Sequence, residues 1–284
     1  MCYVAASKGP ITKRILLLRH GQAVHNPRAE LAKQAGCSHE HFMELMRQDD
    51  ALDAPLTELG EQQATKVQDR FGSTMLEGVD LVVSSPLSRA LCTADLALPP
   101  STKTGISSPQ RRVCVEHFRE INGWLLNAKR RDQSDLQKMF GHWDFSSISS
   151  TDETWTEKLE SEEECAERGY LGLLWLMEQT ESSILVTTHG GLLRFVMNQH
   201  PHVRMFDGRN STNTTQLEES QNTSNDARCV KGRFGNCELR EFTVTLEGTT
   251  ENTRASESWR PIVTLTEITR DQVEEEEKDQ SAAL

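Results

Sequence analysis

Residues 15–21 have the sequence Ile-Leu-Leu-Leu-Arg-His-Gly, in which four apolar residues lead directly into two ionisable side chains and a glycine. A short, continuous apolar run of this kind is typical of a strand that is covered on both faces in a parallel sheet. Three similar runs, enriched in β-branched residues, follow at Val79–Val83, Val113–Val115 and Ile184–Thr188. The sequence therefore predicts four buried strands.

Helical patterns lie between these strands. Thr57 is predicted to cap one helix and Ser88 a second, because a hydroxyl side chain can accept a hydrogen bond from a free backbone N–H of the first turn. Residues 163–177 carry the apolar stripe of a longer helix, and another helix is predicted after Gly191. This alternation of strands and helices indicates an α/β fold.

Other segments depart from this alternation. Residues 238–246 alternate apolar and polar side chains, which predicts a strand that pairs with a second one at 262–268. Residues 207–228 are predicted to form a polar surface loop, and the acidic residues 271–284 a disordered tail. An insert at about 27–52 has a helical pattern, and it is interpreted either as a lid or as an ordinary packing helix.

Composition limits the class of protein. The chain has 284 residues, a net charge of -12 and a hydrophobic fraction of 36%, which is typical of a globular protein. The negative charge argues against binding of nucleic acid. The sequence has no apolar run long enough to span a bilayer and no signal-peptide pattern at residues 1–10, so we expect a cytoplasmic protein that does not bind membranes.

Ionisable side chains follow all four predicted strands. Arg19 and His20 come directly after the first strand, and Arg89 follows the second within Ser-Pro-Leu-Ser-Arg. Glu120 comes shortly after the third strand, and His189 follows the fourth within Thr-His-Gly-Gly. Because the carboxyl ends of parallel strands meet at one edge of a sheet, these side chains are predicted to lie in the same crevice.

These residue types suit phosphoryl transfer from a phosphomonoester. Arg19 and Arg89 can bind phosphoryl oxygens through paired N–H groups, and an unprotonated imidazole nitrogen of His20 can attack phosphorus. His189 can donate to the same oxygens, and Glu120 can protonate the leaving group and then deprotonate water. This set carries enough positive charge that no metal is needed. The other histidines, His25 among them, lack the spacing of metal ligands and are predicted to have core or surface roles.

Four blocks of the sequence resemble the conserved blocks of the histidine phosphatase superfamily, and they occur in the same order. The chain is similar in particular to a eukaryotic phosphoglycerate mutase-like branch found in plants, fungi and protists. The similarity to this eukaryotic branch rests on Phe-Arg-Glu at 118–120, Lys-Arg-Arg at 129–131 and Asn-Cys-Glu-Leu-Arg at 236–240. The four blocks of the superfamily are residues 16–26, 53–64, 85–94 and 188–194.

The resemblance implies a single three-layer α/β/α domain over residues 11–270, with a mostly parallel central sheet. It also implies a phosphohistidine intermediate and no metal or other cofactor. His20 corresponds to the nucleophile of the family and Glu120 to its proton donor. The phosphate-binding and substrate-binding residues that the resemblance implies are Arg19, Asn26, Arg89, His189 and Gly190.

Some positions depart from the family pattern or allow two interpretations. Gln22 and Ala23 replace the usual Glu and Ser or Thr, which removes a hydroxyl that could contact phosphate. Asn127 and Ala128 replace a Cys-Asp pair of the branch. The basic residues Arg119, Lys129, Arg130 and Arg131 are interpreted either as a rim that attracts anionic substrate or as a solvated helix face.

The sequence thus predicts a metal-independent phosphomonoesterase that acts on a small phosphorylated metabolite through phosphohistidine. Its expected partner is the small-molecule substrate, and the sequence does not indicate an oligomeric state. A phosphoglycerate mutase is the enzymatic alternative, although the long Glu-Arg-His-Tyr-Gly block of cofactor-dependent mutases is not present after the third strand. A catalytically inactive phosphate-binding or scaffold protein is the other alternative.

Overall fold

A computed structural model describes residues 10–47, 52–99, 110–208, 232–247 and 260–270. In these residues seven strands form one sheet, with the spatial order β3-β2-β4-β1-β6-β7-β5. The strands are β1 (Ile11–Arg19), β2 (Leu81–Ser84), β3 (Arg111–Cys114), β4 (Ser183–Thr188), β5 (Val203–Asp207), β6 (Leu239–Glu247) and β7 (Ile262–Arg270).

Strand direction confirms the prediction of a mostly parallel sheet. The pairs β1–β4, β2–β4, β2–β3 and β5–β7 are parallel, whereas β6 runs antiparallel to both β1 and β7. It follows that β6 alone, among the described strands, points opposite to the rest. The carboxyl ends of β1, β2, β3 and β4 therefore lie side by side at one edge, where the predicted site residues follow them.

Helices cover both faces of the sheet, which confirms the three-layer α/β/α architecture. On one face Leu17 packs with residues of α6 and α7, and on the other Leu18 packs with residues of α3 and α4. The four apolar residues 15–18 are at most 1% exposed, as expected for a strand covered on both faces. The helices are α1 (Asn26–Gln34), α2 (His39–Arg47), α3 (Glu58–Phe71), α4 (Ser88–Ala97), α5 (Gln133–Met139), α6 (Glu162–Glu178) and α7 (Gly190–Gln199).

Two of the helix starts show which capping predictions hold. Thr57 caps α3, because its hydroxyl oxygen accepts a hydrogen bond from the N–H of Gly60 at 3.0 Å. The prediction that Ser88 caps α4 is wrong, since Ser88 is the first helical residue and Leu87 is the N-cap. The carboxylate of Asp53 takes that role, accepting from the N–H of Ser88 at 2.8 Å and also from its hydroxyl.

The insert consists of the two short helices α1 and α2. None of the α2 side chains is buried, so α2 does not pack into the core. The guanidinium of Arg47, at the end of α2, lies 4.9 Å from the ring centre of Trp124, which places the end of α2 against the loop that follows Glu120. That the insert closes as a lid stays a prediction.

Some sequence predictions fall outside the described residues. These are the end of the insert at 48–51, most of the polar loop at 207–228 and the acidic tail at 271–284. None of the described helices is long and apolar enough to cross a bilayer.

Candidate active site

The site is built at the carboxyl ends of β1 and β4, which are adjacent parallel strands. His20 directly follows β1 and His189 directly follows β4, so their ring centres lie only 4.9 Å apart. Arg89 reaches the same point from the first turn of α4. All three side chains are at most 2% exposed, which places a cluster of polar groups in a buried crevice.

The tautomer of His20 follows from its hydrogen bonds. Its Nδ1 lies 2.6 Å from the carbonyl oxygen of Gly21, which can only accept, so the proton is on Nδ1 and the lone pair is on Nε2. The Nε–H of Arg89 donates to this Nε2 at 3.3 Å. Burial, followed by the positive charges of Arg89 and Arg19, lowers the pKa of His20 well below its ordinary value. His20 is therefore neutral near pH 7, with a nucleophilic Nε2.

Glycines explain how the first two sequence blocks fit together. A Cβ atom on Gly21 would overlap the carbonyl oxygen of Gly60 in α3, and a Cβ atom on Gly60 would overlap the carbonyl oxygen of Gln22. The backbone after His20 therefore rests directly on the start of α3. This contact holds the nucleophile's loop in place without any side chain between the two backbones.

Two arginines present unused donors to the crevice. Arg89 donates from Nη1 to the carbonyl oxygen of Asn127 at 2.7 Å, while its Nη2 is buried and has no partner. Arg19 donates from Nη1 to the carbonyl oxygen of Phe234 at 2.8 Å, and its buried Nε has no partner. Burial lowers the pKa of Arg89 to about 10, so it stays charged at pH 7. Buried charged donors without partners are costly, and a bound anion would satisfy them.

His189 is held on one side by a hydroxyl. Its Nε2 lies 2.8 Å from Oγ of Ser85, whereas its Nδ1 is buried and has no partner. Burial, with the charge of Arg89 and the ring of His20, lowers the pKa of His189 well below its ordinary value. A neutral ring of this kind can donate a single hydrogen bond to an anion.

Glu120 lies at the N-terminus of α7. Its carboxylate accepts from the N–H of Leu192 at 3.0 Å and of Gly191 at 3.2 Å, and a Cβ atom on Gly191 would overlap it. Negative charge is favoured at this end of a helix. Its charge also acts on both Arg19 and Arg89, so Glu120 belongs to the same crevice. Its role as proton donor stays a prediction.

The remaining predicted site residues have mixed surroundings. A Cβ atom on Gly190 would lie 3.1 Å from Nε of Arg19, so the glycine leaves room for that guanidinium.

Asn26 is buried, and its amide bonds to the backbone of Ala23 and to the ring of His25. His25 lies 6.5 Å from His20 between ring centres, and sequence reasoning missed it as a site residue. Its position between His20 and Asn26 in the first block was the available signal.

The basic residues divide into a structural pair and a peripheral pair. Arg119 and Arg130 are at most 2% exposed, so they form neither a rim nor a solvated face. Arg119 bonds both oxygens of Asp152 at 2.8 Å, and Arg130 bonds Glu116. Two further side chains lie nearer the surface: Lys129, 4.5 Å from the ring centre of Trp155, and the partly exposed Arg131, 3.4 Å from Asp53.

Replacing Asp152 with alanine is expected to destabilise the protein by about 3 to 5 kcal/mol, because the buried Arg119 loses the carboxylate that bonds both of its Nη atoms and keeps only Glu116, which it shares with Arg130. Burial acts to raise the pKa of Asp152, but Arg119 overcomes this and the pKa falls to about 2. The stabilisation is therefore fully present above about pH 4 and is lost as the pH falls through about 2. Urea unfolding at pH 7 measures the loss.

The matched control is Asp135→Ala, which removes an exposed carboxylate paired with Lys138. Its free energy of unfolding should stay within about 0.5 kcal/mol of wild type. Equal stability of Asp152→Ala and Asp135→Ala would contradict a structural role for the Arg119–Asp152 pair.

No group of three or more His, Cys, Asp or Glu side chains that could hold a metal ion occurs in the described parts of the chain. The positive groups around His20 are instead the guanidinium groups of Arg19 and Arg89. The site can bind an anion between these groups and the neutral rings of His20 and His189. Fold and site together define an α/β protein with a buried, cationic, histidine-containing crevice at the carboxyl edge of its sheet.

The chain belongs to the histidine phosphatase superfamily, because the family model for branch 1 of that superfamily matches residues 15–211. It is 31% identical to phosphoglycerate mutase-like protein 1 of Arabidopsis thaliana over 82% of this chain and 81% of the relative. Another phosphoglycerate mutase-like protein of the same plant is 27% identical over 83% of this chain and 86% of the relative.

Solved structures in the comparison include a mycobacterial glucosyl-3-phosphoglycerate phosphatase, which is 17% identical to this chain. That alignment covers 91% of this chain and 100% of the phosphatase, with a TM-score of 0.45. A phosphoserine phosphatase from Entamoeba histolytica is also 17% identical, with coverage of 90% and 97% and a TM-score of 0.43. The two plant relatives are named as phosphoglycerate mutase-like proteins, and the two solved structures as phosphatases.

Proposed function

We propose that this protein is a phosphomonoesterase that transfers the phosphoryl group of a small phosphorylated metabolite to His20 and then to water. The observation that carries the proposal is the lone pair on Nε2 of His20, beside Arg89 in a buried crevice. A neutral nucleophile beside a buried guanidinium group suits an electrophile that carries negative charge, and a phosphoryl group has both properties.

In the first step, Nε2 of His20 forms a bond to phosphorus while the ester P–O bond breaks. The leaving oxygen takes a proton from the carboxyl group of Glu120. In the second step, Glu120 takes a proton from water as the water oxygen attacks phosphorus. The N–P bond then breaks, its electrons return to His20, and inorganic phosphate leaves.

Charge compensation explains why the proposed reaction needs no metal. A phosphomonoester dianion carries two negative charges, and Arg19 and Arg89 supply two positive charges with buried N–H groups to spare. His189 adds a neutral donor to the same oxygens. Donors that are already fixed in place stabilise the transition state without a cost of reorganisation.

The nature of the substrate follows from the crevice and from the overall charge. The donors match one phosphoryl group, and the net charge of -12 disfavours an extended polyanion such as nucleic acid. We therefore propose a small phosphomonoester as the partner.

The purified protein is expected to release inorganic phosphate from at least one member of a panel of phosphomonoesters, and to do so equally in excess EDTA. Phosphoglycerates in the panel test the mutase alternative, because an isomerase forms the other isomer without net phosphate. The assay therefore quantifies free phosphate and isomer product in the same sample, with the His20→Ala variant as the control for contaminating phosphatase. Isomerisation without phosphate release would contradict the proposal, and so would complete loss of turnover in EDTA.

A further inference from the structure

His25 is a buried imidazole beside the nucleophile that the proposed mechanism does not use. It is 5% exposed, and its ring centre lies 6.5 Å from that of His20. The charges of Arg89 and Arg19 both act on it and lower its pKa, so it lies near both guanidinium groups. Three imidazoles, those of His20, His25 and His189, therefore surround the place where a phosphoryl group would bind.

The hydrogen bonds of Asn26 determine the tautomer of His25. The backbone N–H of Ala23 can only donate, and it lies 3.0 Å from Oδ1 of Asn26, which fixes the orientation of the side-chain amide. The other end of the amide, Nδ2, can only donate, and it lies 3.2 Å from Nε2 of His25. His25 must accept this hydrogen bond, so its Nε2 is unprotonated.

The proton of His25 is consequently on Nδ1. This atom is buried and has no hydrogen-bond partner. Burial and the two arginines keep the pKa of His25 well below its ordinary value, so the ring is neutral and offers one N–H donor. A buried donor without a partner is destabilising, which indicates that a ligand atom completes the bond.

We propose that the Nδ1–H of His25 donates a hydrogen bond to a non-bridging oxygen of the phosphoryl group that is transferred to His20. This inference deepens the proposed function and rests on it. An oxygen that lies about 2.9 Å from a nitrogen of each ring fits within the separation of the His20 and His25 rings. The donor complements the two arginines, because a neutral N–H adds a directional contact without adding charge.

Asn26 acquires a specific role in this arrangement. It acts as a positioning residue, because its amide holds His25 in the tautomer with the proton on Nδ1. One amide connects Ala23, in the loop after the nucleophile, to the proposed phosphate donor. The tight turn from residue 23 to residue 26 then couples the position of the donor to that of His20.

Two variants of His25 separate the donor from the bulk of the ring. His25→Asn keeps an N–H donor close to the position of Nδ1, whereas His25→Phe keeps a planar ring and removes the donor. Orthovanadate, which imitates the phosphoryl group in transfer, serves as the probe, and its inhibition constant is measured against hydrolysis of p-nitrophenyl phosphate. Isothermal titration with inorganic phosphate gives a second reading that does not depend on turnover.

We expect His25→Phe to weaken vanadate and phosphate binding about 10- to 100-fold, the usual effect of losing a hydrogen bond to a charged group. The affinity of His25→Asn for vanadate and phosphate is expected to stay within about fivefold of that of wild type. The control is His200→Phe, which removes another buried imidazole, at the far end of α7, where it bonds Glu167. Thermal unfolding of each variant verifies that it is folded.

Unchanged vanadate and phosphate binding in folded His25→Phe would overturn the inference, and so would equal losses in His25→Asn and His25→Phe. These outcomes differ from failure of the proposed function. If wild-type protein releases no phosphate from any substrate but binds phosphate more tightly than His25→Phe, the esterase proposal fails and the donor role of His25 stands. If wild type turns over normally and His25→Phe binds as tightly, the esterase proposal stands and the donor role is refuted.

Discussion

Replacing His20 with alanine is expected to lower kcat by about 10⁴-fold or more and to abolish the phosphoenzyme. The imidazole supplies the nitrogen atom that forms the new bond to phosphorus, so its removal eliminates the first chemical step rather than weakening a contact. The protein is expected to stay folded, because His20 bonds mainly to its own neighbour Gly21 and to Arg89. The substrate pocket retains Arg19 and His189, so binding of phosphate should decrease far less than turnover.

Rapid quenching with a ³²P-labelled substrate measures this effect. Phosphohistidine is labile in acid and stable in base, so the label on wild type should survive alkali and be lost in acid. The His20→Ala variant should carry none. A parallel variant, His200→Ala, removes a buried histidine outside the crevice and is expected to label normally. Equal labelling of His20→Ala and wild type would refute the assignment of the nucleophile.

The second large effect is expected at Arg89, where even lysine should reduce kcat/KM by about 10²- to 10³-fold. The guanidinium uses three nitrogens in three ways: Nε faces His20, Nη1 bonds Asn127, and Nη2 is free for a ligand. A lysine ammonium is a point donor on a flexible chain and cannot reproduce this fork. Burial lowers the pKa of Arg89 to about 10. Lysine has a lower ordinary pKa than arginine, so the same burial makes the positive charge harder to keep in the variant.

Steady-state kinetics of Arg89→Lys are compared with those of Arg111→Lys, in which the changed side chain is exposed at the start of β3 and pairs with Glu181. The control variant should retain kcat/KM within about twofold. The loss in Arg89→Lys should appear mainly in kcat, because the free donor matters most when charge develops on the transferred group. A normal kcat with only a raised KM would show that Arg89 binds the substrate without stabilising the transition state.

Local patterns in the sequence predicted six of the seven described strands, all except β5, and the group of side chains at the carboxyl edge of the sheet. The run at 15–18 and its three counterparts predicted the positions of β1, β2, β3 and β4, because parallel strands covered on both faces are continuous and apolar. The site residues were predictable for a related reason. Loops at the carboxyl ends of parallel strands converge, so His20, Arg89, Glu120 and His189 could be grouped before any distance was known.

The predictions that failed concern contacts between distant parts of the chain. Ser88 has the side chain of a helix cap, but a carboxylate 35 residues earlier reaches the first turn of α4 and displaces it from that role. The basic residues Arg119 and Arg130 suggested an exposed patch. In the structure both are buried, and their charges are neutralised by Asp152 and Glu116. Sequence spacing carries no information about such pairs, because the fold alone brings them together.

His25 illustrates a different limit. Its residue type suggested an ordinary buried or surface histidine, and only the amide orientation of Asn26 reveals the tautomer that leaves a donor free. Tautomers depend on hydrogen-bond geometry, which the sequence does not encode in any local pattern. The role of a neutral imidazole is therefore the part of this site that sequence reasoning was least able to predict.

The position of β1 in the sheet has a consequence for how the protein is made. On the ribosome β1 emerges well before its two neighbours, since Arg14 pairs with Ser183 and Leu18 with Leu239. At a synthesis rate of about 5 to 20 residues per second, β1 waits on the order of 10 to 50 s for both partners. During this interval the most apolar segment of the chain has no sheet to join, and it is an expected binding site for chaperones. The strand that leads into the nucleophile, β1, therefore completes its hydrogen bonds only after β6 has been translated.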